Sequence, residues 1–124
     1  MKFIDINKQY KRIKNKVNND ILNTLEKGDF ILGEYVFELE ERLSQYVEVE
    51  ECITCASGTD ALLIPLMAYE IGSGDAVFTT NFSYFATTEV ISLVGANPIF
   101  VDINKQTFNM DPELLEKQIL DVLD

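Results

Sequence analysis

From residue 51 onward the chain alternates short β-type runs with amphipathic ones, and Gly or Pro marks the joints. "ECITCA" (51 to 56) reads as a strand, 59 to 70 as a helix and "DAVFTT" (75 to 80) as a strand. Residues 84 to 94 then read as a helix ending at Gly95, "PIFVDI" (98 to 103) as a strand and 111 to 120 as a helix. Strands separated by helix-length crossovers with short joints pair in parallel, so this rhythm specifies an α/β fold of order β-α-β-α-β-α. Gly72-Ser73-Gly74-Asp75 and Gly95-Ala96-Asn97-Pro98 are stops between elements.

Two helices precede that region. Tyr10, Ile13, Val17, Ile21 and Leu25 recur near helical spacing over residues 8 to 27, and Gly28 ends the run. After the short apolar loop "DFILG", residues 34 to 47 place Val36, Leu39, Leu43 and Val47 on one face, with Glu38, Glu40 and Glu41 largely outward. The expected organisation is therefore a helical segment at 1–50 followed by the β-α-β-α-β-α region at 51–124.

Charge narrows the partners. The formal net charge is −11 over 124 residues. Residues 1 to 30 carry seven Lys or Arg against four Asp or Glu, and the remainder carries three against seventeen. So acidic a body argues against nucleic acid, whose phosphates it would repel. The basic cluster Lys8, Lys11, Arg12, Lys14 and Lys16 reads as the solvated face of a helix. No apolar run approaches the roughly 20 residues that span a bilayer, and the N-terminus lacks the apolar core of a signal peptide. A soluble, cytoplasmic protein without a membrane partner is expected.

Cys52 and Cys55 form a C-x-x-C. On a strand, an odd separation of three puts the two sulfurs on opposite faces, which suits neither a disulfide nor a shared metal. The chain has no His and no second Cys pair, so a zinc site lacks ligands. Both thiols are expected to be reduced and in or near the core.

The candidate site lies at Ser57-Gly58-Thr59-Asp60, between the first expected strand and its helix. In parallel α/β sheets, ligands bind at the carboxyl ends of strands. The first amides of a helix have no internal partners and carry partial positive charge. Gly58 lets a ligand approach the backbone and Thr59 adds a hydroxyl, which together suit a phosphate. Ser57 with Asp60 also fits a capping box, which satisfies amides without a ligand, so the local pattern leaves both roles open. No G-x-G-x-x-G or Walker pattern occurs. The next strand end, "TTNFSYFATTE" (79 to 89), carries Phe82, Tyr84 and Phe85. Phe82 and Phe85 are expected in the core. Tyr84 is the better shelf for a planar ligand, because its hydroxyl prefers water or a partner.

Four segments together, "FILGEYVFELEERLSQY" (30 to 46), "SGTDAL" (57 to 62), "GSGDAVFTTNFSYFATTEVISLVGANPIFVDI" (72 to 103) and "FNMDPELLEKQI" (108 to 119), resemble the N-terminal third of the DegT/DnrJ/StrS aminotransferases. These are fold-type I pyridoxal 5'-phosphate (PLP) enzymes that typically aminate nucleotide-linked keto-sugars with glutamate as donor. The resemblance implies the N-terminal part of the large PLP-binding domain and a homodimer. It implies that Gly58 and Thr59 bind the PLP phosphate and that Tyr84 stacks on the pyridine ring. Phe30 to Gly33 matches a segment near the dimer interface and active site, with no role for an individual residue.

Two departures stand out: Pro65 inside the helix after the cradle, expected to kink it, and the lack of a Gly in "YVEVEECIT". PLP chemistry also needs a lysine that binds the cofactor covalently and a carboxylate beside the pyridine nitrogen. In the family both lie well beyond residue 124, and Lys2, 8, 11, 14, 16, 27, 105 and 117 match no such position. The expectation is thus a portion of an aminotransferase, inactive alone, with no catalytic residue of its own. The alternatives are a sugar dehydratase of the same fold, or a short protein that binds a phosphorylated ligand without catalysis.

Overall fold

A computed structural model describes residues 3–123; Lys2 lies outside them. The elements run α1 (Ile6–Lys27), α2 (Glu34–Val47), α3 (Gly58–Ala68), β1 (Ala76–Thr79), α4 (Ala86–Leu93), β2 (Asn97–Phe100) and α5 (Pro112–Leu123). The chain divides into two compact units, 1–54 and 55–124.

In the first unit, α1 starts at Asp5, whose carboxylate accepts the Lys8 N–H at 3.1 Å, and ends at Gly28 in the left-handed region. The apolar stripe foreseen along α1 exists, but no residue of that helix is buried within the chain. The step from α1 to α2 is tight. Glu34 N–H donates to the Asp29 carboxylate at 3.2 Å, and Lys27 pairs with Glu34 at 2.7 Å. Gly33 is buried at this joint, and a Cβ there would sit 2.7 Å from the Asp29 carbonyl oxygen, so no larger residue fits without a shift.

The second unit holds a two-stranded parallel sheet. β1 and β2 pair from Ala76 opposite Asn97 to Thr79 opposite Phe100, with α4 as the crossover. Val90, Ile91 and Ala96 form its buried centre, packed against Leu63, Leu66, Ile71, Val77 and Val94 from α3, β1 and their joints. Past β2 the chain folds back on itself. Ile103 and Met110 form an antiparallel bridge, and the Asp111 N–H donates to the Asp102 carbonyl at 3.0 Å.

Three expectations need correction. Residues 51–56 are not a strand. Backbone N–H groups require partners, and no neighbouring strand meets these. The Thr54 N–H goes instead to the Glu40 carboxylate at 2.7 Å, and the Thr54 hydroxyl to the same oxygen at 2.8 Å. Glu40 is therefore half-buried and engaged, not an outward charge. Third, of the two free thiols Cys52 is half-buried but Cys55 is exposed, outside any core. Residues 51–56 form no strand and so give Cys55 no place in the sheet. β2 also ends earlier than foreseen, at Phe100, although Val101 still donates its N–H to the Thr79 carbonyl at 2.8 Å.

Candidate functional site

Ser57 enters α3 in extended conformation, and its hydroxyl oxygen accepts the Asp60 N–H at 3.2 Å. The same hydroxyl donates to the Asp60 carboxylate at 2.8 Å, which ties that charge down beside its own cap. The Ala61 N–H is taken by the Ser57 carbonyl at 3.0 Å. The cap thus consumes the third and fourth amides of the helix. Those of Gly58 and Thr59 find no acceptor among the described residues. A Cβ placed on Gly58 would meet nothing within 4 Å, so the approach to these two amides is open. The capping role is present, with the Ser57 hydroxyl as the cap, and it leaves the Gly58 and Thr59 N–H groups as donors at the positive end of the helix.

Pro65 lies inside α3, yet the helix runs unbroken from Gly58 to Ala68. Pro65 has no N–H to offer the Ala61 carbonyl, so one backbone bond inside the helix is missing. The free amides lie in the first turn, ahead of that gap.

The loop after β1 is drawn tight by its hydroxyls. Phe82 N–H donates to the Thr80 hydroxyl oxygen at 3.1 Å, and the Ser83 and Thr87 hydroxyls share a hydrogen bond of 3.2 Å. The Tyr84 carbonyl accepts the Thr87 N–H at 3.1 Å, while its side chain is 81% exposed. Phe82 and Phe85 are exposed as well, contrary to their expected place in the core. Phe82 stacks on Phe108 with ring centroids 5.8 Å apart. A concavity of about 320 Å³ opens beside Tyr84, with Thr80, Asn81, Ser83, Thr88 and Phe100 among its walls. Neither Gly58 nor Thr59 lines it. The structure therefore presents the open amides at the start of α3 and the exposed Tyr84 ring after β1 as two separate features of one unit, not as a single cavity.

Sequence reasoning had passed over Thr80, Asn81, Ser83 and Thr88 as lining residues. The signal was the density of hydroxyl and amide side chains at the carboxyl end of β1. Among the described residues no group of His, Cys, Asp or Glu could hold a metal ion, and no helix is long and apolar enough to cross a membrane.

The features present fit the phosphate and the ring of PLP: two unpartnered amides beside a residue without a side chain, and an available aromatic face. They do not supply its covalent anchor. Every described lysine is exposed on α1, in the 104–109 turn or on α5.

Comparison with known proteins gives the same frame. A UDP-2-acetamido-2-deoxy-3-oxo-D-glucuronate aminotransferase of Pseudomonas aeruginosa is 49% identical over 119 residues, which is 96% of this chain and 33% of that protein. The crystal structure of a DegT DnrJ EryC1 StrS aminotransferase from Brucella abortus superposes with a TM-score of 0.94 at 46% identity, covering 99% of this chain and 33% of the other. NtdA from Bacillus subtilis, solved with bound cofactor PMP, matches with a TM-score of 0.76 at 40% identity over 84% of this chain and 25% of its own. The chain spans about a third of the length of such relatives. The model of the DegT/DnrJ/EryC1/StrS aminotransferase family matches residues 11–121. The chain belongs to that family.

Proposed function

We propose that this chain is the N-terminal portion of a PLP-dependent aminotransferase that moves an amino group from glutamate to a nucleotide-linked keto-sugar. The observation that carries the proposal is the pair of unpartnered amides at Gly58 and Thr59, open to solvent at the positive end of α3. A dianionic phosphate is the natural occupant of such a position. Identity with a UDP-linked keto-sugar aminotransferase over almost the whole chain supports the substrate class.

Bound PLP supplies an electron sink through which the amino group leaves glutamate and reaches the keto carbon. The chain's own residues do the holding. Gly58 and Thr59 donate backbone N–H groups to the phosphate, and the Thr59 hydroxyl adds a third donor. Ser57 keeps the Asp60 carboxylate hydrogen-bonded to itself, so that charge does not turn toward the phosphate. Tyr84 offers its ring as a shelf that fixes the plane of the cofactor and excludes water from that face. No residue of the chain moves the proton of the reaction; that role, like the covalent anchor, falls to the remainder of the enzyme. The assembly proposed is a cytoplasmic homodimer.

The test uses the full-length protein with glutamate and a panel of nucleotide-linked keto-sugars. Release of 2-oxoglutarate in step with amino-sugar formation is the expected result. Loss of a hydroxyl from the sugar with no nitrogen gained by it would overturn the aminotransferase assignment in favour of a dehydratase.

A further inference from the structure

Phe108 occupies a conformation that its side chain makes costly. Its φ is +58°, in the left-handed region that glycine and asparagine enter far more readily than an aromatic residue. Asn109 stands next to it, so a tolerant residue was available one position away. The turn that holds Phe108 is strongly specified. The Asn104 side chain accepts the Gln106 and Thr107 N–H groups at 3.0 and 3.2 Å, and its carbonyl accepts the Phe108 N–H at 2.8 Å. Asn104 N–H in turn donates to the Asn109 carbonyl at 2.9 Å, and the Ile103–Met110 bridge closes the base.

What this strained placement achieves is visible in the contact it makes. The Phe108 ring lies on Phe82 with centroids 5.8 Å apart and 29° between planes, although Phe82 is 60% and Phe108 59% exposed and neither is a core residue. Phe82 sits two residues before Tyr84, in the loop also tied by the Thr80–Phe82 and Ser83–Thr87 hydrogen bonds and by the Tyr84 carbonyl to the Thr87 N–H. Strain retained where no core demands it points to a positional use.

Resting on the function proposed above, we infer that Phe108 is a positioning residue. From its strained turn it clamps Phe82, and so fixes the loop that presents the Tyr84 ring to the cofactor. It touches neither cofactor nor substrate in this account and acts through Phe82 alone.

The test compares Phe108→Ala, Phe108→Gly and Phe108→Tyr in the full-length protein, first without cofactor. Hydrogen exchange of the Phe82 amide should quicken about 2- to 12-fold in the Ala and Gly variants, the range an aromatic pair implies, and stay unchanged in Phe108→Tyr. The Gly variant separates the two roles. A residue that only shaped the turn would be relieved by glycine, and exchange would slow or stay put. Phe82→Ala should match Phe108→Ala, with no added effect in the double variant. With PLP, the same variants should lose affinity by a similar factor, and the circular dichroism of the bound cofactor should weaken. Unchanged Phe82 exchange in both the Ala and Gly variants overturns the inference. So does faster exchange with undiminished PLP affinity. A wild-type protein that binds no PLP refutes the proposed function instead, and the positioning of Tyr84 for the cofactor falls with it, while the exchange data still show whether the clamp exists.

Discussion

Glu40 carries the plainest electrostatic consequence of the structure. The Thr54 N–H, and after it the Thr54 hydroxyl, hold its carboxyl below the ordinary value of 4.5. A carboxyl lowered in the folded state contributes stability above its ordinary range, and that contribution is lost as the pH falls through the lowered value. Protection of the Thr54 amide against exchange should therefore be present at neutral pH and fade in acid, on the low side of 4.5. Glu40→Gln should flatten that pH dependence, and an unaltered profile would refute it. Gly33 gives a steric counterpart. Because its Cβ would lie 2.7 Å from a backbone oxygen, Gly33→Ala should cost about 1–3 kcal/mol in thermal or denaturant unfolding. Neither role was legible beforehand. Glu40 looked like one of three outward acids, and only the path of residues 51–54 turns it inward.

The elements themselves were legible wherever the chain supplies both the pattern and its partner. α2 was expected at 34–47 and is found at Glu34–Val47. α1 and α5 begin and end within three residues of expectation. β1 and β2 pair with each other, so both form. Residues 51–56 have strand composition but no strand to pair with, and composition alone cannot provide one. Within α3, Ser57→Ala removes the side-chain cap and should cost about 1 kcal/mol, while sparing the free amides of Gly58 and Thr59. Pro65→Ala restores a donor for the Ala61 carbonyl and should raise stability, by up to about 3 kcal/mol. Equal unfolding midpoints for wild type and Pro65→Ala would mean that the helix has already accommodated its proline.

Among the described residues, very little apolar surface finds cover. The buried apolar side chains are Ala86, Val90, Ile91, Ala96 and Val101. Ile13, Ile21 and Phe37 of the first unit and Leu62, Ile64, Met67 and Leu120 of the second are exposed. The sequence showed amphipathic stripes correctly but could not show that these side chains are left exposed. Patches of this kind belong against further protein. Residues 1–124 produced alone should bind an apolar-surface dye and self-associate in gel filtration. A monodisperse monomer without dye binding would favour the short ligand-binding protein considered at the outset.

In the proposed function the free amides of Gly58 and Thr59 and the Thr59 hydroxyl, at the start of α3, hold a cofactor's phosphate. This is tested most directly by titrating the full-length protein and its Thr59→Ala variant with PLP and with pyridoxal, which lacks the phosphate. Loss of a hydroxyl that donates to a charged group corresponds to about a 10- to 100-fold drop in PLP affinity, with pyridoxal binding unchanged. Equal losses for both ligands, or none for either, would contradict the account and move the phosphate away from Gly58 and Thr59.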